Sequence, residues 1–251
     1  MTRPRDWDAG TYDRVADPMT RWGTTVLERL PLRGDETVLD AGCGSGRVTE
    51  QLCERLPNGR VIALDGSPSM VEEARRRLTR FGEQVTFAVA DLGAPGLPVA
   101  AGSLDAVLST ATFHWVPDHD RLFLNLAAAL QPGGRLVAQC GGAGNIASVR
   151  EVIAGMGETW PGPWVFATPE AAADRLARAG FVDIETWLHE ESTTIEPGAP
   201  FEEYLRTVIL GSHIARLPPA EHAAFVHTVA ARMPAPVIDY VRLNVRATRA
   251  G

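Results

Sequence analysis

The sequence predicts an α/β fold: one large domain, or one domain with a small annex, in which a mostly parallel sheet carries helices on both faces. Three observations lead there. Between residues 37 and 140, apolar strand-like runs alternate with helix-like runs, the pattern of a sheet whose crossovers are helices. Val38 to Gly46 reads Val-Leu-Asp-Ala-Gly-Cys-Gly-Ser-Gly, an apolar strand end running into three alternating glycines and then a helix. The chain has 251 residues, 45% of them hydrophobic, enough to bury a full core.

The first strand spans Thr37 to Ala41, and the helix after the glycine turn places Val48, Leu52 and Leu56 on one face before Pro57-Asn58-Gly59 stops it. A second strand, Arg60 to Asp65, leads into a helix that opens at Ser67-Pro68, a capping residue followed by proline at the first helical position. Met70, Val71, Ala74 and Leu78 form its sheet-facing stripe. Further strands are expected at Val85 to Ala90, Leu104 to Ser109 and Arg135 to Cys140, with a helix from about Asp118 to Leu130 ended by Gln131-Pro132-Gly133-Gly134.

After Cys140 the rhythm breaks. Residues 141–168 are rich in Gly, Pro and Trp, with a short helix expected at Ala147 to Gly155. Alternation resumes with a helix at Pro169 to Ala179 and a strand at Val182 to Glu190. Residues 200–233 hold two more helical patterns, the first with Phe201, Tyr204, Leu205, Val208 and Ile209 on one face, and a last strand spans Ile238 to Thr248. The insertions at 141–168 and 191–235 fall at or near the carboxyl edge of the sheet, where open α/β sheets bind ligands, so both are expected to form a lid and substrate wall.

Composition excludes several classes of function. A net charge of −7 argues against a broad surface for nucleic acid or anionic membrane. All 24 basic residues are arginine, a base-composition signature that gives single arginines little weight. Cys43, Cys53 and Cys140 have no metal-ligand spacing and suggest no disulfide framework. No histidine or carboxylate cluster suggests a metal either. Met1 to Asp8 is polar with no apolar segment behind it, unlike a secretory leader, and no apolar run reaches the roughly 18 residues of a membrane span. The expected location is the cytoplasm.

The chemistry lies at strand ends. Glycines 42, 44 and 46 permit a tight turn and let a ligand approach the backbone closely, while the next helix offers free N–H groups. Asp65 ends the second strand, 19 positions after Gly46, where a carboxylate can accept hydrogen bonds from ribose hydroxyls; it can also cap the following helix. Asp91, after the third strand, sits where a side chain can bond an adenine amino group.

Asp40 to Gly46, Asp65-Gly66-Ser67, Asp91-Leu92, Phe113-His114-Trp115-Val116 and Leu130 to Gly134 together resemble a class I S-adenosylmethionine-dependent methyltransferase. Within that superfamily the chain is most similar to the trans-aconitate methyltransferase group, which methylates carboxylates of small acids. That similarity adds Trp7, Tyr12 and Arg21 upstream, His114 to His119, and Arg242-Leu243 in the closing strand. It implies a Rossmann-like seven-stranded sheet with an antiparallel last strand, and residues 1–34 as an N-terminal helical cover.

By the same resemblance the methionine end of the cofactor lies over Asp40, Gly42, Cys43, Gly44 and Gly46, covered by Tyr12 and Arg21. Tyr12 can instead pack in the core, and Arg21 can be a solvated surface group. Asp65, Gly66, Ser67 and Met70 are expected around the ribose, Asp91 and Leu92 at the adenine, and Thr110 beside them. His114 is the candidate catalytic residue, as a base for a phenol, amine or acidic carbon, or instead as a brace for a loop or the cofactor. A carboxylate acceptor is already ionised and needs no base. Phe113, Trp115, Gln139, Trp160, Trp164 and Tyr204 are the expected acceptor contacts, although Trp160 and Trp164 can equally anchor their loop. His213 is similarly ambiguous.

The resemblance therefore implies methyl transfer to oxygen of a small carboxylate or hydroxyl compound, with no nucleic-acid or membrane partner. Carbon or nitrogen methylation with His114 as base is the alternative within the class. A nicotinamide-dependent oxidoreductase is the alternative outside it, disfavoured because the glycines follow G-x-G-x-G rather than G-x-G-x-x-G. A tricarboxylate acceptor would want several fixed cations, and the insertions supply only Arg150, Arg206, Arg216 and Arg232, with glutamates for neighbours. Aromatic and apolar insertions suit a larger, less charged metabolite.

Overall fold

β1 (Thr37–Ala41) is nearly all buried, and its alternate residues serve two cores: Val38 packs with one cluster, Leu39 and Ala41 with the other. That division is the consequence of a strand covered on both faces. The computed structural model describes residues 6–7 and 17–251. β1 pairs in parallel with β2 (Arg60–Asp65) and β4 (Leu104–Thr110), and β3 (Val85–Val89) and β5 (Leu130–Gly141) extend the parallel set. β6 (Phe181–Glu190) forms the far edge. β7 (Thr193–Thr194) and β8 (Val237–Ile238) make a separate two-stranded ribbon. β9 (Val241–Arg249) enters between β5 and β6, antiparallel to both, giving a seven-stranded sheet of order β3-β2-β1-β4-β5-β9-β6. The Rossmann-like α/β fold with an antiparallel last strand is thus present.

Three helices cover one face: α1 (Asp17–Glu28), α2 (Arg47–Glu54) and α3 (Pro68–Arg77), through Val26, Leu27, Val48, Leu52, Ala74 and Leu78. α4 (His119–Ala129) and α6 (Pro169–Arg178) cover the other through Leu122, Phe123, Leu126, Ala172 and Leu176; α5 (Ala147–Gly155) lies between them in sequence. The starts of these helices follow local chemistry. Ser67 accepts from the Met70 amide with Pro68 behind it, Asp118 from Arg121 and Thr168 from Ala171. No helix among the described residues is long and apolar enough to cross a membrane.

The first insertion holds its expected helix, α5, whereas the second insertion and the last strand depart from the expected elements. α7 (Ala199–Tyr204) passes into a π-helical turn at Leu205–Ile209, where the Leu210 amide reaches back to the Leu205 carbonyl at 2.7 Å, and then into α8 (Gly211–Ile214) and α9 (His222–Arg232). With Ile146, Val149 and Ile153 from the first insertion and Trp22 of α1, they enclose a third hydrophobic cluster. The final strand is not continuous from Ile238. Asp239 turns out of the ladder to accept from the amide and hydroxyl of Ser148, and the Tyr240 hydroxyl meets that of Tyr204 at 2.6 Å. β5 begins early, since Leu130 already pairs with Leu104 before the Pro132-Gly133-Gly134 bulge resets the register.

Candidate active site

The carboxyl ends of β1, β2 and β4 and the segment after β3 surround a cavity of about 490 Å³. It opens where the strand order reverses direction about β1, the place at which doubly wound sheets accept ligands. The glycine turn forms its floor. Gly42 and Cys43 donate to the Leu64 carbonyl at 2.7 and 3.0 Å, tying the turn to β2. Gly42 sits at φ +91°, and a Cβ there would fall 2.0 Å from Thr112 Oγ1. Gly44, at φ +53°, has open space on that side, so its backbone faces the cavity bare. Gly46 begins α2 at φ +86° and lets the turn pack closely on Ala74 of α3 and on Leu78 just past its end.

Two carboxylates lie at this floor. Asp65 accepts the Gly44 and Ser67 amides, one on each oxygen at 2.9 Å, with the Gly66 amide also turned toward it, and still has acceptor capacity left toward the cavity. Burial raises its pKa against those hydrogen bonds. Asp40 is 1% exposed beneath the turn, where one oxygen accepts the Thr49 hydroxyl at 2.7 Å and the other has no partner. Burial, with the charge of Asp65 adding to it, pushes Asp40 up to about 7. No arginine among the described residues is ion-paired with either. Asp91 lines the cavity farther along and accepts the Gly93 amide at 2.8 Å through one oxygen.

The opposite wall is aromatic. Trp115, in the turn after β4, contacts Trp7 edge-on at 5.2 Å and Trp164 at 5.9 Å; Trp164 stacks on Phe166 at 5.8 Å. Trp160 packs on His213, whose two ring nitrogens are buried without partners and whose basicity burial lowers. His114 also lines the cavity. Its Nδ1 accepts the Gly141 amide at 3.3 Å, which puts the ring proton on Nε2. Burial, then the charge of Arg242, holds its pKa well below the ordinary histidine range, so the ring is neutral.

Arg242 projects from β9 into the same cavity, 3% exposed. Its Nε donates to Gln139 Oε1 at 3.3 Å and its guanidinium lies 4.7 Å over the Trp22 ring. Gln139 is itself held by Asn244 at 2.9 Å, and Asn244 by Arg29 at 2.5 Å, a buried polar ladder that fixes the guanidinium plane. Three non-glycine residues among those described have positive φ, and two of them, Ala111 and Ile146, line this cavity. Backbone strain of this kind concentrates where a site demands it.

Of the residues singled out in the sequence, Gly42, Gly44, Asp65, Gly66, Ser67, Met70, Asp91, Leu92, Thr110, His114, Trp115, Trp160 and Trp164 line the cavity. Others lie elsewhere for identifiable reasons. Asp40 and Cys43 are buried under the turn, and Gly46 is a helix-packing glycine. Arg21 is exposed on α1. Phe113 is a core residue against Phe123, Gln139 stands behind Arg242, and Tyr204 stands behind Tyr240. Tyr12 lies outside the described residues. Sequence reasoning gave no role to Arg242, Asn145, Phe166 or Thr112. The sequence does show Arg242 and Asn244 alternating with apolar Leu243, Val245 and Ala247 along one strand, but that both polar residues are buried is seen only in the fold.

A family model described as a methyltransferase domain matches residues 38–134. Over 193 residues the chain is 36% identical to a trans-aconitate 2-methyltransferase of Methylobacterium nodulans, covering 76% of this chain and 70% of that one. The chain belongs to that family. A second trans-aconitate 2-methyltransferase, from Azoarcus sp., is 34% identical over 88% of this chain and 86% of its own length. Among solved structures, phosphoethanolamine N-methyltransferase 2 of Haemonchus contortus in complex with S-adenosyl-L-methionine superposes with a TM-score of 0.66 at 20% identity, over 97% of this chain and 57% of that one, a likeness of fold. As a family member the chain is an S-adenosylmethionine-dependent methyltransferase, and the nicotinamide alternative is set aside.

Proposed function

We propose that the enzyme transfers the methyl group to an oxygen of a small carboxylate acceptor, and that it does so by alignment without general-base help. Asp65 accepts the ribose hydroxyls on its free lone pairs, Asp91 and the Leu92 amide take the adenine edge, and Met70, Ser67, Gly66 and Thr110 wall the nucleoside. The bare Gly42–Gly44 turn receives the methionine end. The donor set fits a cationic ligand: two carboxylates, Asp40 with one orphaned oxygen and Asp65 beside it, have no arginine partner among the described residues. When bound, S-adenosylmethionine supplies a methyl group already activated by its sulfonium. The chain's own task is to orient the nucleophile in line.

The state of His114 carries this reading. It is the histidine that lines the cavity among the described residues, yet its Nδ1 is occupied by the Gly141 amide and its burial opposes protonation. Such a ring donates from Nε2 and is a poor proton acceptor at neutral pH. A carboxylate, ionised above about pH 5, is the nucleophile that needs no acceptor. The relatives' printed name, trans-aconitate 2-methyltransferase, points to the same acceptor chemistry. The test is to incubate the protein with methyl-labelled S-adenosylmethionine and a panel of carboxylic acids, phenols and amines. Label released as methanol by mild alkali is the expected product of an ester. Label that resists alkali would overturn the assignment.

A further inference from the structure

We infer that the acceptor is a monocarboxylic acid with an aromatic or extended apolar body, its carboxylate set against Arg242 and its body against the Trp160, Trp164 and Phe166 wall. This rests on the carboxylate O-methylation proposed above and adds what lies beyond the reacting group.

The lid side of the cavity provides anion recognition at one place. Arg242 is the one arginine that lines the cavity among the described residues, and its guanidinium plane is fixed by Gln139 and Trp22. Beside it Asn145 gives its oxygen to the Val241 amide at 2.9 Å, which leaves its NH₂ as donor, and His114 donates from Nε2. Donors grouped in this way match the two oxygens of one carboxylate.

The rest of the lid side is mainly aromatic and aliphatic surface, completed by Met19, Ile146, Val208 and Ile209, with Ser212 and Tyr240 as its neutral, hydroxyl-bearing residues. The arginines of the insertions do not line it: Arg150, Arg206, Arg216 and Arg232 are exposed, and Arg150 and Arg216 lie over the rings of Phe166 and Trp160 at 5.9 and 4.4 Å. A second or third carboxylate on the acceptor would therefore be desolvated against rings with no cation to meet it, an unfavourable burial. A flat apolar body gains the same surface as contact.

The test is calorimetric titration of cinnamate, phenylacetate, octanoate and trans-aconitate into the protein saturated with S-adenosylhomocysteine. At least one of the three monocarboxylates is expected to bind about tenfold or more tighter than trans-aconitate. Trp164→Ala and Trp160→Ala should each weaken that monocarboxylate by roughly tenfold while changing trans-aconitate by about twofold or less, and Arg242→Gln should weaken both acids. Retained binding of S-adenosylhomocysteine, measured first, shows that each variant has folded. Tighter binding of trans-aconitate, no binding of the monocarboxylates, or indifference to both tryptophans would overturn the inference and leave ester formation standing. Alkali-stable label in the transfer assay would instead overturn the reading on which it rests.

Discussion

Thr49 is the hydrogen-bond partner of Asp40 among the described residues, and it reaches one oxygen of the two. A carboxyl so placed favours its neutral form until a cation arrives. Its pKa, raised from 3.8 to about 7, means that between these values the folded chain keeps a proton that the unfolded chain releases. Stability without cofactor therefore falls as pH rises through this window, by on the order of 4 kcal/mol once the group is ionised. Asp40→Asn removes that slope. Urea unfolding without cofactor should show the variant gaining on the parent by about 2 kcal/mol or more between pH 5 and pH 8. Cofactor affinity runs the other way: a cationic ligand prefers the ionised carboxylate, so binding should tighten as pH rises through about 7 in the parent and lose that dependence in the variant. At Asp65 the expectation is simpler. Asp65→Ala should weaken cofactor binding by roughly 1.5–3 kcal/mol in titration calorimetry, the scale of hydrogen bonds to a charged group; unchanged affinity would remove Asp65 from the ribose site.

The glycine turn shows how one element serves both fold and site. Gly42→Ala places a methyl group against Thr112 and in a left-handed backbone, so thermal unfolding should report a loss of about 3 kcal/mol or more. Gly44→Ala meets no atom, costs about 1–2 kcal/mol of backbone strain, and should appear chiefly as weaker cofactor binding. The turn was legible in sequence because glycine spacing reports backbone directly. The helices opened by Ser67-Pro68 and Thr168-Pro169 were legible too, since a cap and a proline act locally. The lid was not. Its π-helical turn at Leu205–Ile209, the four-residue α8 and the departure of Asp239 from the last ladder all answer to partners distant in sequence, such as Ser148 for Asp239 and Tyr204 for Tyr240.

At the scale of the molecule, the parallel strands deliver Gly42, Asp65, Asp91 and Thr110 to one edge, and each of these could be read from its place after a strand. Arg242 could not be given a role in that way, because β9 enters between β5 and β6 against the order of the chain. Its guanidinium meets Gln139 only through that pairing, in which Gln139 and Asn244 stand opposite each other. On the proposed assignment, the parallel strands carry the donor side, and the antiparallel strand with the third hydrophobic cluster carries the acceptor side. Under the proposed function, methyl transfer to an ionised carboxylate beside a neutral, donating His114 leaves nothing to titrate in the chemical step near neutrality. The most direct test is kcat against pH, with S-adenosylmethionine and an accepted carboxylic acid both saturating. A value flat from about pH 6 to about pH 9 is predicted. A rise in kcat with an apparent pKa near that of histidine, abolished in His114→Gln, would contradict the account.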